Sequence, residues 1–181
     1  MAVSHLSRFV MVHAVTERLG TTRGTSRLKH RVFIVGFPGQ ERRATVDDFN
    51  SERAYDWNAA HHNTVVGNEA LVLDCAERYP SVNFYGLNPG IMKSNIMGGV
   101  LGEGTLALKL QQTIIGLLFQ SVEQYAEKVL PLLVSPDIEV RSGAIFGRHG
   151  DPIHSNPALS DKSYLVRVTQ ESQKLAQRGL A

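Results

Sequence analysis

The hydrophobic positions of the chain follow two spacings, one typical of helices and one typical of buried strands. Apolar residues three or four positions apart predict helices around 6–14, 66–73, 105–119, 122–133 and 165–175. Short continuous apolar runs predict buried strands at 31–37, 82–87 and 143–146. Because helices and strands alternate, the sequence predicts an α/β fold with a parallel sheet.

Turn residues mark the ends of these elements. Ser4 or Ser7 is expected to cap the first helix, and Pro80 is expected to stop the helix that precedes it. Gly-containing turns end the first two strands, at Pro38-Gly39 and Asn88-Pro89-Gly90. The segment 40–58 is polar without a clear period and is interpreted as a surface insertion or lid. Neither a repeat nor a linker is visible, so residues 1–181 are expected to form one domain.

Composition narrows the class of protein. The hydrophobic fraction is 43% and the charged fraction is 20%, as in ordinary globular domains. A net charge of +2 gives no argument for nucleic-acid binding, and no apolar run approaches the roughly 20 residues of a membrane span. The chain has one cysteine, which excludes an internal disulfide framework and favours a reducing compartment. A cytoplasmic location is therefore expected.

Several segments, in the right order, resemble the C-terminal two thirds of a short-chain dehydrogenase/reductase. The segment 3–11 is similar to the family helix that carries the catalytic asparagine, and 31–39 is similar to the strand that delivers the catalytic serine. Gly67-Asn-Glu-Ala-Leu71 resembles the central helix just after the catalytic tyrosine. The segment 82–90 resembles the strand and Pro-Gly turn under the nicotinamide. The resemblance implies a partial Rossmann-like, doubly wound sheet with flanking helices.

The resemblance also implies an NAD(P) cofactor. In the family, a first strand and a glycine-rich turn before the segments matched here hold the pyrophosphate at a helix N-terminus. We expect this nucleotide-binding start to be missing, so cofactor binding is in question and the residue that distinguishes NAD from NADP cannot be identified. The segment 102–107 imitates a GxGxxA fingerprint, but it lies too far beyond the preceding strand to form the tight turn and is interpreted as a flexible substrate loop.

The catalytic positions implied by the resemblance are all substituted. Thr64 stands at the tyrosine that acts as general acid, and Asn68 stands at the lysine that lowers the pKa of that tyrosine. Gly36 and Phe37 occupy the serine position, and Ser4 stands at the asparagine of the proton relay. Threonine is a poor proton donor, and neutral asparagine supplies no charge. The standard dehydrogenase reaction is therefore expected to be absent.

Part of a cofactor site remains in the sequence pattern. Pro89, Gly90, Ile91 and Ser94 match the family positions that hold the nicotinamide carboxamide. The alternative interpretation of the same residues is a strand-ending turn that serves folding only. Both interpretations stay open at this point.

No other constellation in the sequence predicts a specific site. Tyr55 could approach the cleft but is more typical of a surface aromatic, and adjacent His61 and His62 point in different directions on a helix. His149 and His154 flank Asp151 in an unspecific loop, and Cys75 is expected to be a small core residue. No metal site is therefore predicted.

Three functions are compatible with these residues. The first is a degenerate short-chain dehydrogenase/reductase-like protein without standard activity on its own. The second is an NAD(P)-dependent oxidoreductase acting on a carbonyl or hydroxyl substrate, with an atypical site or with a missing half supplied elsewhere. The third is a small-molecule binding module lined by 91–108 and Tyr85, or a dimerisation partner. Because the partial sheet is expected to expose an edge, we predict a homo-oligomer or a complex with a complete homologue.

Overall fold

A computed structural model describes residues 1–19, 28–90 and 121–180. The predicted helix at 105–119, the fingerprint-like segment 102–107 and the predicted binding segment 91–108 lie outside the described residues. In chain order, the elements are α1 (Ser7–Leu19), β1 (His30–Val35), α2 (Trp57–Arg78), β2 (Val82–Leu87), α3 (Val122–Val134), β3 (Ile145–Phe146), β4 (Pro152–Ile153) and α4 (Lys162–Leu180). Single 3-10 turns are formed by Val46–Asp48, Pro136–Ile138 and Pro157–Ser160.

The strands form one sheet in the order β1-β2-β3-β4. β1 pairs in parallel with β2, and β2 pairs in parallel with β3, as the hydrophobic runs predict. β4 is antiparallel to β3 and was not predicted, because it contains two residues, one of them a proline. The α/β class and the partial Rossmann-like sheet are confirmed for the described residues.

Helix α2 lies at the centre of the fold. The Asp56 side chain caps it by accepting a hydrogen bond from the Ala59 N–H at 2.6 Å, and the helix ends two residues before Pro80. Ten consecutive residues of this helix, 63–72, are buried, because α2 packs against β2 on one side and α1 and α4 on others. A helix buried on most of its circumference places its polar residues inside the protein, and each of these residues needs a hydrogen-bond partner.

The start of α1 differs from the prediction. Residues Ala2–Leu6 form one π-helical turn that runs directly into α1. The Ser7 hydroxyl donates a hydrogen bond to the Val3 carbonyl at 2.8 Å, and no side chain caps the turn. The prediction that Ser4 or Ser7 caps the first helix is therefore wrong. A π-helical turn contains one extra residue, which changes the direction of the side chains at its end.

The polar segment 40–58 is anchored at several points. Ala44, Val46 and Phe49 are buried in the same core cluster as α2 and α4, whereas Tyr55 is 80% exposed. Two ion pairs on the surface also connect the segment to α4, Arg167 with Asp47 and Arg178 with Glu52. Exposed pairs of this kind contribute little to stability. The three buried apolar side chains therefore fix the position of the segment.

Helix α4 covers the open side of α2. Its residues Leu165, Val168 and Leu175 are buried at helical spacing, as predicted. Among the described residues, no helix has the length and apolar character that crossing a membrane requires.

Candidate functional site

Two turns meet at the carboxyl edge of the sheet. The Gly36 N–H continues the ladder by donating to the Leu87 carbonyl at 2.9 Å. The Asn88 side chain joins the two turns, because its Nδ2 donates to the Pro38 carbonyl at 2.7 Å and its Oδ1 accepts from the Gly90 N–H at 3.0 Å. In open α/β sheets this edge is where ligands bind.

The structure brings together three of the positions that the resemblance aligns with catalytic residues. Nδ2 of Asn68 donates to the Ser4 carbonyl at 2.9 Å. A Cβ added at Gly36 would lie 3.8 Å from both Cβ and Nδ2 of Asn68. Thr64 lies one turn earlier on the same face of α2 and is buried, while Phe37 is half-buried in the turn after β1.

Asn68 and Thr64 use their polar atoms for internal hydrogen bonds. Oδ1 of Asn68 accepts from Nδ1 of His5 at 3.1 Å, while its Nδ2 is engaged with Ser4. The hydroxyl of Thr64 donates to the His61 carbonyl of the preceding helical turn at 2.6 Å. Neither group can change its protonation state near neutral pH. At these positions the structure shows a packed polar network.

His5 is the centre of that network. Its ring is fully buried, and its two nitrogens lie 3.1 Å from Oδ1 of Asn68 and 2.7 Å from Oγ of Ser172. Burial lowers the pKa of His5 from 6.5 to about 4, opposed by the hydrogen bond to Asn68, so the ring is neutral at pH 7. Since the Asn68 oxygen can only accept, the proton of the neutral ring sits on Nδ1, and Nε2 faces the Ser172 hydroxyl, whose oxygen also lies 2.9 Å from the Val168 carbonyl oxygen.

Gly67 makes room for this ring, and its replacement by alanine is expected to be destabilising. An added Cβ would lie 2.8 Å from Cε1 and Nε2 of His5, closer than atoms of these types can approach. We expect Gly67→Ala to cost about 1–3 kcal/mol by overpacking, more than the gain in helix propensity of about 1 kcal/mol. Chemical denaturation of both proteins measures the difference.

Gly179 provides the matched control for this prediction. It is also a glycine inside a helix, but among the described residues nothing lies within 4 Å of the position where its Cβ would stand. We expect Gly179→Ala to leave stability unchanged or to raise it by about 0.5–1 kcal/mol. Equal effects of the two substitutions would contradict a tight fit of His5 against α2.

Glu69, the next residue of α2, is buried and binds backbone. Its Oε2 accepts from the Gly39 N–H at 2.8 Å, and its Oε1 accepts from the Asn156 N–H. Burial raises the pKa of this carboxyl, and the two backbone hydrogen bonds oppose the rise. Glu69 therefore fastens the turn after β1 to the segment that precedes α4.

The predicted cofactor positions are described only in part. Pro89 is buried, and Gly90 has a φ of 68°, which favours glycine in this turn. Ile91 and Ser94 lie outside the described residues. Tyr85, predicted as part of a binding pocket, is fully buried in the sheet, and its hydroxyl donates to the Ile138 carbonyl at 2.6 Å. That part of the prediction is wrong, because Tyr85 is a core residue.

The remaining candidate residues differ in exposure to solvent. Tyr55 is exposed, as expected, and Nδ1 of His62 lies 2.8 Å from the Asn58 carbonyl oxygen. Cys75 is fully buried, as predicted for a small core residue. Its sulfur nevertheless has a histidine and a carboxylate near it, His13 and Asp74, which the spacing along the chain did not suggest.

Sequence reasoning missed the two buried ionisable groups, His5 and Glu69. The signal for Glu69 was a single acid between Val65-Val66 and Ala70-Leu71, where the apolar pattern requires burial. His5 gave no comparable signal, since its partners lie 63 and 167 positions away. Only the packing of the π-helical turn against α2 and α4 brings these residues together.

Comparison with known proteins gives one informative relative. No family model matches the chain. A Saccharomyces cerevisiae protein named uncharacterized oxidoreductase YKL107W is 41% identical over 181 residues, or 99% of this chain and 58% of the yeast protein. The chain thus spans a little over half the length of the curated relative it matches.

Proposed function

We propose that this chain is a degenerate short-chain dehydrogenase/reductase-like protein that does not catalyse the standard dehydrogenase reaction on its own. The observation that carries the proposal is the amide of Asn68. At the position where the family places a lysine, both polar atoms of this amide are hydrogen-bonded, to His5 and to Ser4. A buried amide held in this way stabilises the fold and supplies no charge to a neighbouring acid.

The buried ionisable groups near Asn68 do not replace the missing acid. His5 is neutral at pH 7, and each of its nitrogens has a partner. Both oxygens of Glu69 accept backbone N–H groups, so neither is directed towards a substrate. A general acid must reach the reacting oxygen within about 2.6–3.2 Å, and a side chain committed to backbone cannot do so without breaking those bonds.

Activity is tested directly with both nicotinamide cofactors. The purified chain is mixed with NADPH or NADH and a panel of aldehydes, ketones and quinones, and cofactor absorbance is followed. We expect no oxidation above the blank, because losing the general acid alone costs about 10²–10⁴-fold in rate. Turnover that disappears in Thr64→Val or Asn68→Ala would overturn the proposal, with Tyr55→Phe as the exposed control.

A second candidate function has support from the yeast relative. That protein is named an oxidoreductase, and this chain aligns with 58% of it. Within the described residues, β1 lies at the edge of the sheet and Val35 in it is 46% exposed. A strand at the edge of a sheet can accept a further strand. The chain could therefore contribute one part of an NAD(P)-dependent oxidoreductase whose other part is supplied separately.

The second candidate is tested by complementation. The part of the yeast protein that this chain does not match is expressed separately and added, and NADPH and NADH binding is measured by calorimetry. Micromolar binding by the mixture, absent from either component, would favour an oxidoreductase assembled from two parts. Absence of heat with both components folded would leave the degenerate, non-catalytic protein as the better account.

A further inference from the structure

A second cluster of reactive side chains lies at the opposite end of α2 from the turns described above. It consists of His13 from α1 and of Asp74 and Cys75 from the last turns of α2. One ring nitrogen, one carboxylate oxygen and the sulfur of these residues all lie within 4.8 Å of one another. Among the described residues, this is the group of three potential metal ligands that lie close together, and it combines nitrogen, oxygen and sulfur atoms.

His13 has one ring nitrogen without a hydrogen-bond partner among the described residues. Its Nδ1 lies 2.9 Å from the Tyr79 hydroxyl, whereas its Nε2 is buried and unpartnered there. When Nδ1–H donates to Tyr79, Nε2 presents a lone pair without a partner. Buried polar atoms of this kind are few in native proteins and require an explanation.

The Tyr79 hydroxyl supports the same interpretation. A histidine that binds a metal ion through one nitrogen has its other nitrogen held by a neighbouring polar group, which fixes the ring and its tautomer. Tyr79 follows the last residue of α2 and approaches α1 from the side, so it is placed to hold His13 in this way.

Asp74 and Cys75 supply the other two ligands. Asp74 pairs with Arg78 through hydrogen bonds of 3.1 Å to each of its oxygens, and each carboxylate oxygen keeps a second lone pair. Cys75 is fully buried, so its sulfur carries a proton when no metal ion is bound. A metal ion replaces that proton, and its charge offsets the cost of a buried thiolate.

A cavity borders the cluster at His13. It has a volume of about 340 Å³, and His13, Glu17, Arg78, Tyr79 and Gln173 are among its lining residues. A water molecule in this cavity can take a fourth coordination position, and the Glu17 carboxylate adds negative charge at the entrance. Zinc bonds of about 2.0–2.3 Å need ligand atoms roughly 3.5 Å apart, so the three side chains must close in by about 1 Å.

We propose that His13, Asp74 and Cys75 form a binding site for a divalent transition-metal ion, with Zn²⁺ as the best fit. Mixed nitrogen, sulfur and carboxylate ligands suit zinc, whereas calcium and magnesium prefer oxygen alone. Three protein ligands leave a fourth coordination position for a water molecule. This proposal is independent of the proposed function, because the cluster and the turns at the carboxyl edge of the sheet share no residue.

Cobalt is the sharpest probe, because Cys75 is the one cysteine in the chain. The full chain, purified without metal, is titrated with Co²⁺, and near-ultraviolet absorption from cobalt–thiolate bonding is recorded. We expect this absorption to saturate at one equivalent and to disappear on addition of Zn²⁺. Titration without the thiolate absorption would overturn the proposal, since exposed histidines also bind cobalt but give no such signal.

Variants assign the signal to the cluster. Cys75→Ala should abolish the absorption, and because Cys75 is buried, His13→Gln provides a second variant at a partly exposed position. His13→Gln should weaken cobalt affinity at least tenfold, and Tyr79→Phe should weaken it by about 10–100-fold. His61→Gln on the exposed start of α2 is the matched control and should bind as the unaltered protein does. Unchanged affinity of folded His13→Gln would contradict the site.

Discussion

Glu69→Ala is expected to lower the free energy of unfolding by about 3–5 kcal/mol. The carboxylate accepts the N–H groups of Gly39 and Asn156, and both would be left without a partner inside the protein. Each unsatisfied buried donor costs about 1–3 kcal/mol, and the shortened side chain also leaves a void. The turn after β1 and the start of the segment leading to α4 would both lose their attachment to α2.

Two further substitutions make the measurement specific. Glu69→Gln keeps one oxygen acceptor and places an amide N–H₂ against the second backbone N–H, so an intermediate loss is expected. Glu77→Ala on the same helix removes an exposed carboxylate paired with Lys162, and should change stability by less than about 1 kcal/mol. Urea unfolding at pH 7 distinguishes them. Similar values for Glu69→Ala and Glu77→Ala would show that the two backbone contacts contribute little.

Acidification from pH 7 to pH 4.5 is expected to cost about 2.5 kcal/mol of stability through His5 alone. The pKa of His5 is lowered from 6.5 to about 4 because its ring is buried, so the unfolded chain takes up a proton that the folded protein does not. The contribution is fully present above pH 6.5 and is lost as pH falls towards 4. Burial also lowers the pKa of His13, which acts in the same direction.

The His5→Gln variant isolates this contribution. The variant is expected to be less stable at pH 7, since it cannot reproduce both hydrogen bonds of the ring. Its further loss between pH 7 and pH 4.5 should be smaller than that of the unaltered protein by about 2.5 kcal/mol. Other groups titrate equally in both proteins. The same pH dependence in both would mean that the buried ring accepts a proton at its ordinary pKa.

The elements of the fold could be predicted because hydrophobic periodicity is local. The strands at 31–37 and 82–87 and the helices around 66–73, 122–133 and 165–175 correspond to β1, β2, α2, α3 and α4. The start of α1 was wrong, because a serine near a helix start is also compatible with a π-helical turn in which its hydroxyl bonds backwards. β4 has two residues, too few to produce a period.

The sequence predicted which positions of the candidate site lie near one another, but not the hydrogen-bond partners of their side chains. The resemblance grouped Ser4, Asn68 and the turn after β1; in the structure Asn68 donates to the Ser4 carbonyl and lies beside Gly36, and the role of these residues as a site stays a prediction. The hydrogen-bond network at these positions depends on residues distant in sequence, His5 and Ser172. The sequence did not predict the cluster of His13, Asp74 and Cys75 for the same reason. His13 and Cys75 come from different helices, and neither belongs to a motif.

The bond between His5 and Ser172 joins residues 167 positions apart, which has a consequence for the time course of folding. At a synthesis rate of about 5–20 residues per second, the ribosome makes Ser172 roughly 8–33 seconds after His5. Until α4 emerges, the His5 ring and the apolar face of α2 around Gly67 are exposed to solvent, because the helix that packs against them has not been made. The nascent chain is therefore expected to depend on chaperones during this interval and to commit to its native structure only after synthesis of α4.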